Sequence, residues 1–312
     1  MKKIVQIILT IAIMIVGITY LYVNRTQFSV LKKVDFGDIV ILFAITLLFF
    51  YITGYTFKLL VSLMSVNLSF METLGLSILT NFGNYLGPAR PGAALKAMYL
   101  KTSRGLAYTK FTSVLAANTF LALLMTGSTG IILLFLLKKE SLQPPVILFF
   151  ICAGLILIAL LPFIYKTPNI KAKGRAFELL KSTLEGFAVI RTQQSKLVLI
   201  CLNFIAQFFV AALINKVTFN SLGVPITFLS ALTIGVFTSI ANLITITPNN
   251  LGVQEAVIAY LFAITGFDFS TGVIGAGLAR VIHMIITFAL TPVFTHYLLK
   301  SSDLSLGRLI NK

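Results

Sequence analysis

The chain has no tryptophan, two cysteines, two histidines and nine acidic residues in 312. Each shortage removes a class of protein. Cys152 and Cys201 both sit in apolar runs, with no CxxC and no cysteine-histidine cluster, so neither a disulfide framework nor a metal centre is expected. Charged residues make up only 11% of the chain against 58% hydrophobic, with a mean hydropathy of +0.98, and one soluble core cannot hide that much apolar surface. A net charge of +16 raises the possibility of nucleic acid, but the basic residues lie in loops between apolar runs and form no soluble basic module. No ring of charges or filter repeat suggests a channel.

What is there is a series of apolar runs near the length that crosses a bilayer. Full spans are expected at about 4–23, 38–60, 111–137, 145–165, 197–215 and 273–299, with broken regions at about 70–100 and 228–265. The first run follows Lys2 and Lys3 and ends without a small-residue cleavage site, so it reads as an uncleaved helix. Lys96, Lys101, Arg104 and Lys110 form one basic loop, the segment 166–196 a second, and Lys300, Arg308 and Lys312 a basic tail. The positive-inside rule then puts all three, with both termini, in the cytoplasm. Arg25, Lys32 and Lys33 fall outside on this scheme and oppose it. Phe177, Leu180, Leu184 and Phe187 recur at helical spacing in the second loop, which reads either as an amphipathic helix on the inner surface or as an ordinary connector.

Two motifs carry the functional argument. Proline, three residues, then glycine occurs as Pro88 with Gly92 and as Pro248 with Gly252, 160 positions apart. Helix breakers at membrane depth are tolerated only where protein or a water-filled cavity satisfies the freed backbone. Drawn as re-entrant hairpins, the two regions enter from opposite faces. The fold expected is then an all-α integral membrane protein: a polytopic helical bundle with two inverted repeats, each containing a broken, re-entrant hairpin. It forms one transmembrane domain over 1–312, with repeats at about 1–140 and 141–300 and a cytoplasmic connector at about 166–196. Full crossings by 228–246 and 250–265 are the rival drawing, and hydropathy does not separate the two.

Beside the motifs stand the groups that a phosphate-bearing lipid would need. Arg90 offers a fork suited to phosphate, and Lys96 and Arg280 add positive charge. Glu255 is suited to receive an amine or to pair with Arg90 or Arg280, since an unpaired carboxylate at depth is costly. Asn81 and Asn84 share one side of the limb entering the first break, for substrate or for helix packing. Asn249 and Asn250 are placed to cap the half-helix near Gly252 or to touch substrate. Arg280, about seven residues into its span, should lie roughly 10 Å deep. His283 shares its face and is expected to satisfy a neighbouring backbone group. Asn203 and Gln207 read as interhelical glue.

Two stretches carry a resemblance. The run from Asn84 through Pro88, Arg90 and Gly92 to Lys96, and the run from Pro248 through Gly252 to Glu255, are similar to the signature stretches of the lysylphosphatidylglycerol synthase transmembrane region family. That family includes the lipid-flipping membrane domain of the multiple peptide resistance factor, which links it to antimicrobial peptide resistance. Arg90, Gly92, Gly252 and Glu255 match its pattern. Lys96 replaces a usual arginine, Ala93 a usual acid, and Gln254 a frequent base. The chain ends at Lys312 without the soluble aminoacyl-transferring domain, so the lysyl transfer in the family name is expected to be absent.

The resulting expectation is a lipid flippase that moves an anionic phospholipid or polyprenyl-phosphate-linked lipid by alternating access. No catalytic set, cofactor or metal is expected. Membrane lipids are the expected partners, with a second copy, a synthase or a glycosyltransferase as the protein partners such a role admits. Asp35 and Asp38 keep open a glycosyltransferase using lipid-linked sugar, and a lipid-binding scaffold is the third class. A Trp-free, Lys- and Ile-rich chain fits a bacterial plasma membrane.

Overall fold

In the computed structural model the described residues are 31–87, 91–164, 193–242 and 247–301. The run 4–23, Pro88, Arg90 and the connector up to residue 192 lie outside them. The described residues form nine α-helices, short 3-10 turns and no strand. In order, the helices are α1 Phe36–Ser62, α2 Phe70–Tyr85, α3 Pro91–Arg104, α4 Tyr108–Lys139, α5 Val146–Ile164, α6 Gln194–Ser221, α7 Phe228–Ala241, α8 Val253–Ile264 and α9 Phe269–Ser301, with a 3-10 turn at Pro248–Asn250.

Helices α1, α4, α6 and α9 are long and apolar enough to cross a membrane. Their outward faces carry large apolar groups that a soluble protein would hide, among them Leu202 at 57% and Val293 at 61% exposure. The chain is an all-α membrane protein. Both broken regions are broken, and their limbs of 16 and 14 residues and of 14 and 12 residues are only about 18–24 Å long at helical rise. No limb spans a hydrocarbon core of about 30 Å.

Local chemistry sets these limits. Ser69 accepts from the Glu72 N–H and Glu72 reaches back to the Ser69 N–H at 2.8 Å, a capping box that starts α2. Thr227 accepts from Ser230 N at the start of α7. Asp268 accepts from Thr271 N at the start of α9, where bonds from Ser270 and Thr271 hold its carboxyl below the ordinary range. Asp35 and Asp38 stand immediately before and in the first turn of α1, where carboxylates suit the helix's positive end.

The order long helix, two short limbs, long helix occurs twice, with lengths of 27, 16, 14 and 32 residues and then 28, 14, 12 and 33. The two sets interlock. Helices α1 and α6 run antiparallel: Lys196 reaches Ser62 O at 3.4 Å, Asn203 bonds Ile52 O at 2.9 Å and Thr56 Oγ1 at 2.6 Å, and Ile214 and Val217 pack near Leu42. Gln207 adds a bond to Thr56 Oγ1 at 2.6 Å, so the two amides join helices as expected. The first limb of each pair packs on the last long helix of the other set, α2 on α9 and α7 on α4.

The first pair of limbs is closed at both ends. At its mouth buried Glu72 accepts from Tyr99 Oη at 2.7 Å and Arg104 Nη2 at 2.5 Å. At its tip a Cβ on Gly83 would fall 2.6 Å from Gly92 Cα, and one on Gly92 would collide with Thr80 O. A Cβ on nearby Gly87 would meet nothing within 4 Å. Gly92→Ala should therefore cost about 1–3 kcal/mol through overpacking, whereas Gly87→Ala should leave stability close to wild type. Heating detergent-solubilised protein and measuring the monodisperse fraction by size exclusion checks this; equal midpoints would contradict the close crossing.

Candidate functional site

The second break is a tight reversal. Asn249 and Asn250 hold φ of 46° and 55°, the left-handed region that asparagine tolerates better than most residues, and Gly252 holds 81°. Asn250 is buried and donates from Nδ2 to Ala241 O at 2.9 Å, closing the end of α7. The start of α8 is closed by Glu255, whose Oε2 accepts from Gly252 N at 2.8 Å. The expectation that Asn249 or Asn250 caps this half-helix therefore needs correction. Glu255 sits three residues into the helix and reaches its orphan N–H first.

The other carboxylate oxygen of Glu255 accepts from Arg280 Nε at 2.5 Å. The guanidinium also donates to Gln254 Oε1 at 2.6 Å, Asn249 O at 3.2 Å and Tyr85 Oη at 3.5 Å. The Arg280 and Glu255 side chains are only 9% and 16% exposed, so this is a nearly saturated buried cation. Arg280 is eleven residues into α9, about 16 Å along the axis, deeper than expected because α9 begins at Phe269. His283, one turn on, places Nδ1 3.3 Å from Tyr85 Oη and its ring centroid 4.7 Å from that of Phe50. It meets a side-chain hydroxyl, where a backbone partner was expected.

Tyr85 belongs to α2, so the cluster joins the end of the first limb of one set to α8 and α9 of the other. The structure thus brings together Glu255, Arg280, Asn249, Gln254, Tyr85 and His283. Other candidates take different positions. Asn81 donates to Ser77 O at 3.0 Å within its own helix, and Asn84 Oδ1 accepts from Gly92 N at 3.2 Å, closing the start of α3. Lys96 lies 4.1 Å from the Phe57 ring centroid, a cation–π contact, and is not among the partners of Arg280. Pro88 and Arg90 lie outside the described residues.

Three residues with roles here had none in the sequence reading. Tyr85 was part of a motif but is recognisable as a hydroxyl at the last helical position before a break. Gln254 adjoins Glu255 on the same half-helix. Glu72 sits in a Ser-x-x-Glu pattern, a start signal visible in the sequence.

Removing one member of a buried ion pair strands the other, at a cost of about 3–5 kcal/mol, whereas removing both relieves that cost. Glu255→Gln and Arg280→Met should each lower the heat-denaturation midpoint in detergent, and the double variant should lose clearly less than the two losses combined. Additive losses would show that the pair is not coupled.

No curated protein and no solved structure matches the chain. A family model does: that of the lysylphosphatidylglycerol synthase TM region matches residues 5–291, which include both breaks and every residue of the cluster. By that match, over most of its length, the chain belongs to the lysylphosphatidylglycerol synthase TM region family.

Proposed function

We propose that the protein moves a lipid with an anionic headgroup across the plasma membrane, taking the headgroup at the junction of the two broken regions. Family membership gives a membrane lipid-related role, and the finer reading rests on one observation. A buried guanidinium in α9 is held by Glu255, Gln254 and Asn249 of one set of helices and touches Tyr85 of the other. Intramembrane charges are costly and mark substrate paths. A phosphate oxygen can replace Gln254, Tyr85 or the Asn249 carbonyl on the guanidinium, whose planar fork matches it. Glu255 then balances the charge, or takes up an amine on the headgroup.

The doubled element order, the antiparallel α1 and α6 and the reciprocal packing of α2 on α9 and α7 on α4 support an inverted-repeat relation. In such a relation, rocking of one half against the other exposes a central site to each face in turn. The Arg280 to Tyr85 contact crosses the halves, so it is the one that this motion would break. Arg90 and Lys96 enter as further positive charge on the first broken region. The basic loops favour cytoplasmic termini.

Purified protein in phosphatidylcholine vesicles carrying labelled phosphatidylglycerol tests the reading. Wild type should accelerate exchange between leaflets over protein-free vesicles. Arg280→Gln should slow it about tenfold or more, the scale of losing a charge-assisted bond of 1.5–3 kcal/mol; Arg90→Ala should slow it as well. Wild-type exchange at the protein-free rate across a panel of anionic lipids would end the transport claim.

A further inference from the structure

Beside the C-terminal half of α9 runs an open groove of about 350 Å³ that the headgroup site does not use. Its wall is Phe82 of α2, and its floor is α9 from Phe288 to Leu299, where short Thr291, Pro292 and Thr295 leave a notch between larger residues. Eleven residues of helix extend about 16 Å, close to half of a hydrocarbon core of about 30 Å. The groove is as long as one leaflet is deep.

Its two ends differ. The inner end is closed by aromatic rings: the Phe288 centroid lies 5.4 Å from that of Phe82 and 5.6 Å from that of Tyr85. At the outer end His296 and Lys300 are exposed in the last turns of α9. A mainly apolar lining spread over about 16 Å of helix, ending beside a cation at the helix terminus, matches a phospholipid in its ordinary orientation. Free phosphate has no use for the apolar walls, and a neutral lipid has none for the cation.

We infer that this groove seats one acyl chain of an anionic phospholipid from the leaflet at the C-terminal end of α9, with the phosphate at Lys300 and His296 and the chain tip against Phe82 and Phe288. The inference rests on the transport reading for its purpose, as a loading position whose inner end is Tyr85, the residue that touches Arg280. Lipid seated there lies alongside the element that the proposed rocking moves, and its chain is held before its headgroup leaves the surface.

The absence of tryptophan makes a clean test possible. Thr295→Trp puts a single fluorophore in the groove, Leu299→Trp is a second groove reporter should the first fail to fold, and Val293→Trp, at a site 61% exposed on α9, reports bulk lipid. Each is placed in phosphatidylcholine vesicles containing increasing phosphatidylglycerol with brominated chains. Half-quenching of the groove reporter should come at an about fivefold lower brominated fraction than for Val293→Trp, the factor that roughly 1 kcal/mol of attraction per surface lysine supplies. Lys300→Gln should move the groove curve towards the bulk one. Superimposed groove and bulk curves, or a groove reporter that bromine does not quench, would overturn the site, and no response to Lys300→Gln would remove the lysine from it. Preferential quenching without lipid exchange would leave the groove standing and end the transport reading alone.

Discussion

Lipid offers no hydrogen bonds, so every helix broken inside a membrane must be closed by protein groups or by water in a cavity. The breaks here are met by side chains of the motifs that make them and by one arginine of α9. Asn84 takes the Gly92 N–H, Glu255 takes the Gly252 N–H, Asn250 supplies the Ala241 carbonyl, and Arg280 supplies the Asn249 carbonyl. This requirement explains why amides and charges cluster around each proline and glycine in an apolar chain. It also reduces what such clustering proves about substrate, since most of these groups are already needed to keep the backbone satisfied.

Glu255 and Arg280 go further than closure demands. One oxygen of Glu255 is enough for the Gly252 N–H, and its second holds a guanidinium brought from α9. The guanidinium in turn reaches a tyrosine of the other helix set. A capping carboxylate has become the anchor of a contact between two halves of the molecule. A glutamine at this position could take the Gly252 N–H without importing a charge, so the charge calls for an explanation beyond capping.

Much of the fold was legible in the sequence because its signals are local. Apolar run length marked the described long helices to within about six residues at each end, and proline and glycine marked both breaks, since these depend on neighbours in the chain. The candidate cluster was legible in part. That Glu255 takes a cationic partner follows from the cost of a lone carboxylate at depth, with Arg90 and Arg280 as candidates in the sequence, and the fold brings Arg280. Which amide meets which backbone group depends on the path of the turn, and the left-handed Asn249 and Asn250 are what turned Asn250 back onto Ala241. Lys96 shows what helix phase adds: the sequence places it beside a motif, and only the fold sets it over the Phe57 ring. Tyr85 joined the cluster through packing of α2 on α9, separated from it by almost two hundred residues of sequence.

The two helix sets use one device at opposite places. Glu72 and Glu255 each stand three residues after the start of a short limb, each bonds back to a backbone N–H, and each takes an arginine, Arg104 or Arg280, with a tyrosine in the same cluster. Glu72 lies at the mouth of its limb pair, where Arg104 is 41% exposed and water can solvate the guanidinium. Glu255 lies at the tip, where Arg280 is 9% exposed and protein groups occupy its nitrogens. An arginine that water can rehydrate is easily replaced as a partner, and its pair serves to fasten two helices. One this deeply buried must be met by a group as good as a carboxylate whenever the surrounding helices shift. A ligand phosphate is such a group, and the proposed transport reading therefore puts a moving anionic headgroup at the tip rather than at the mouth.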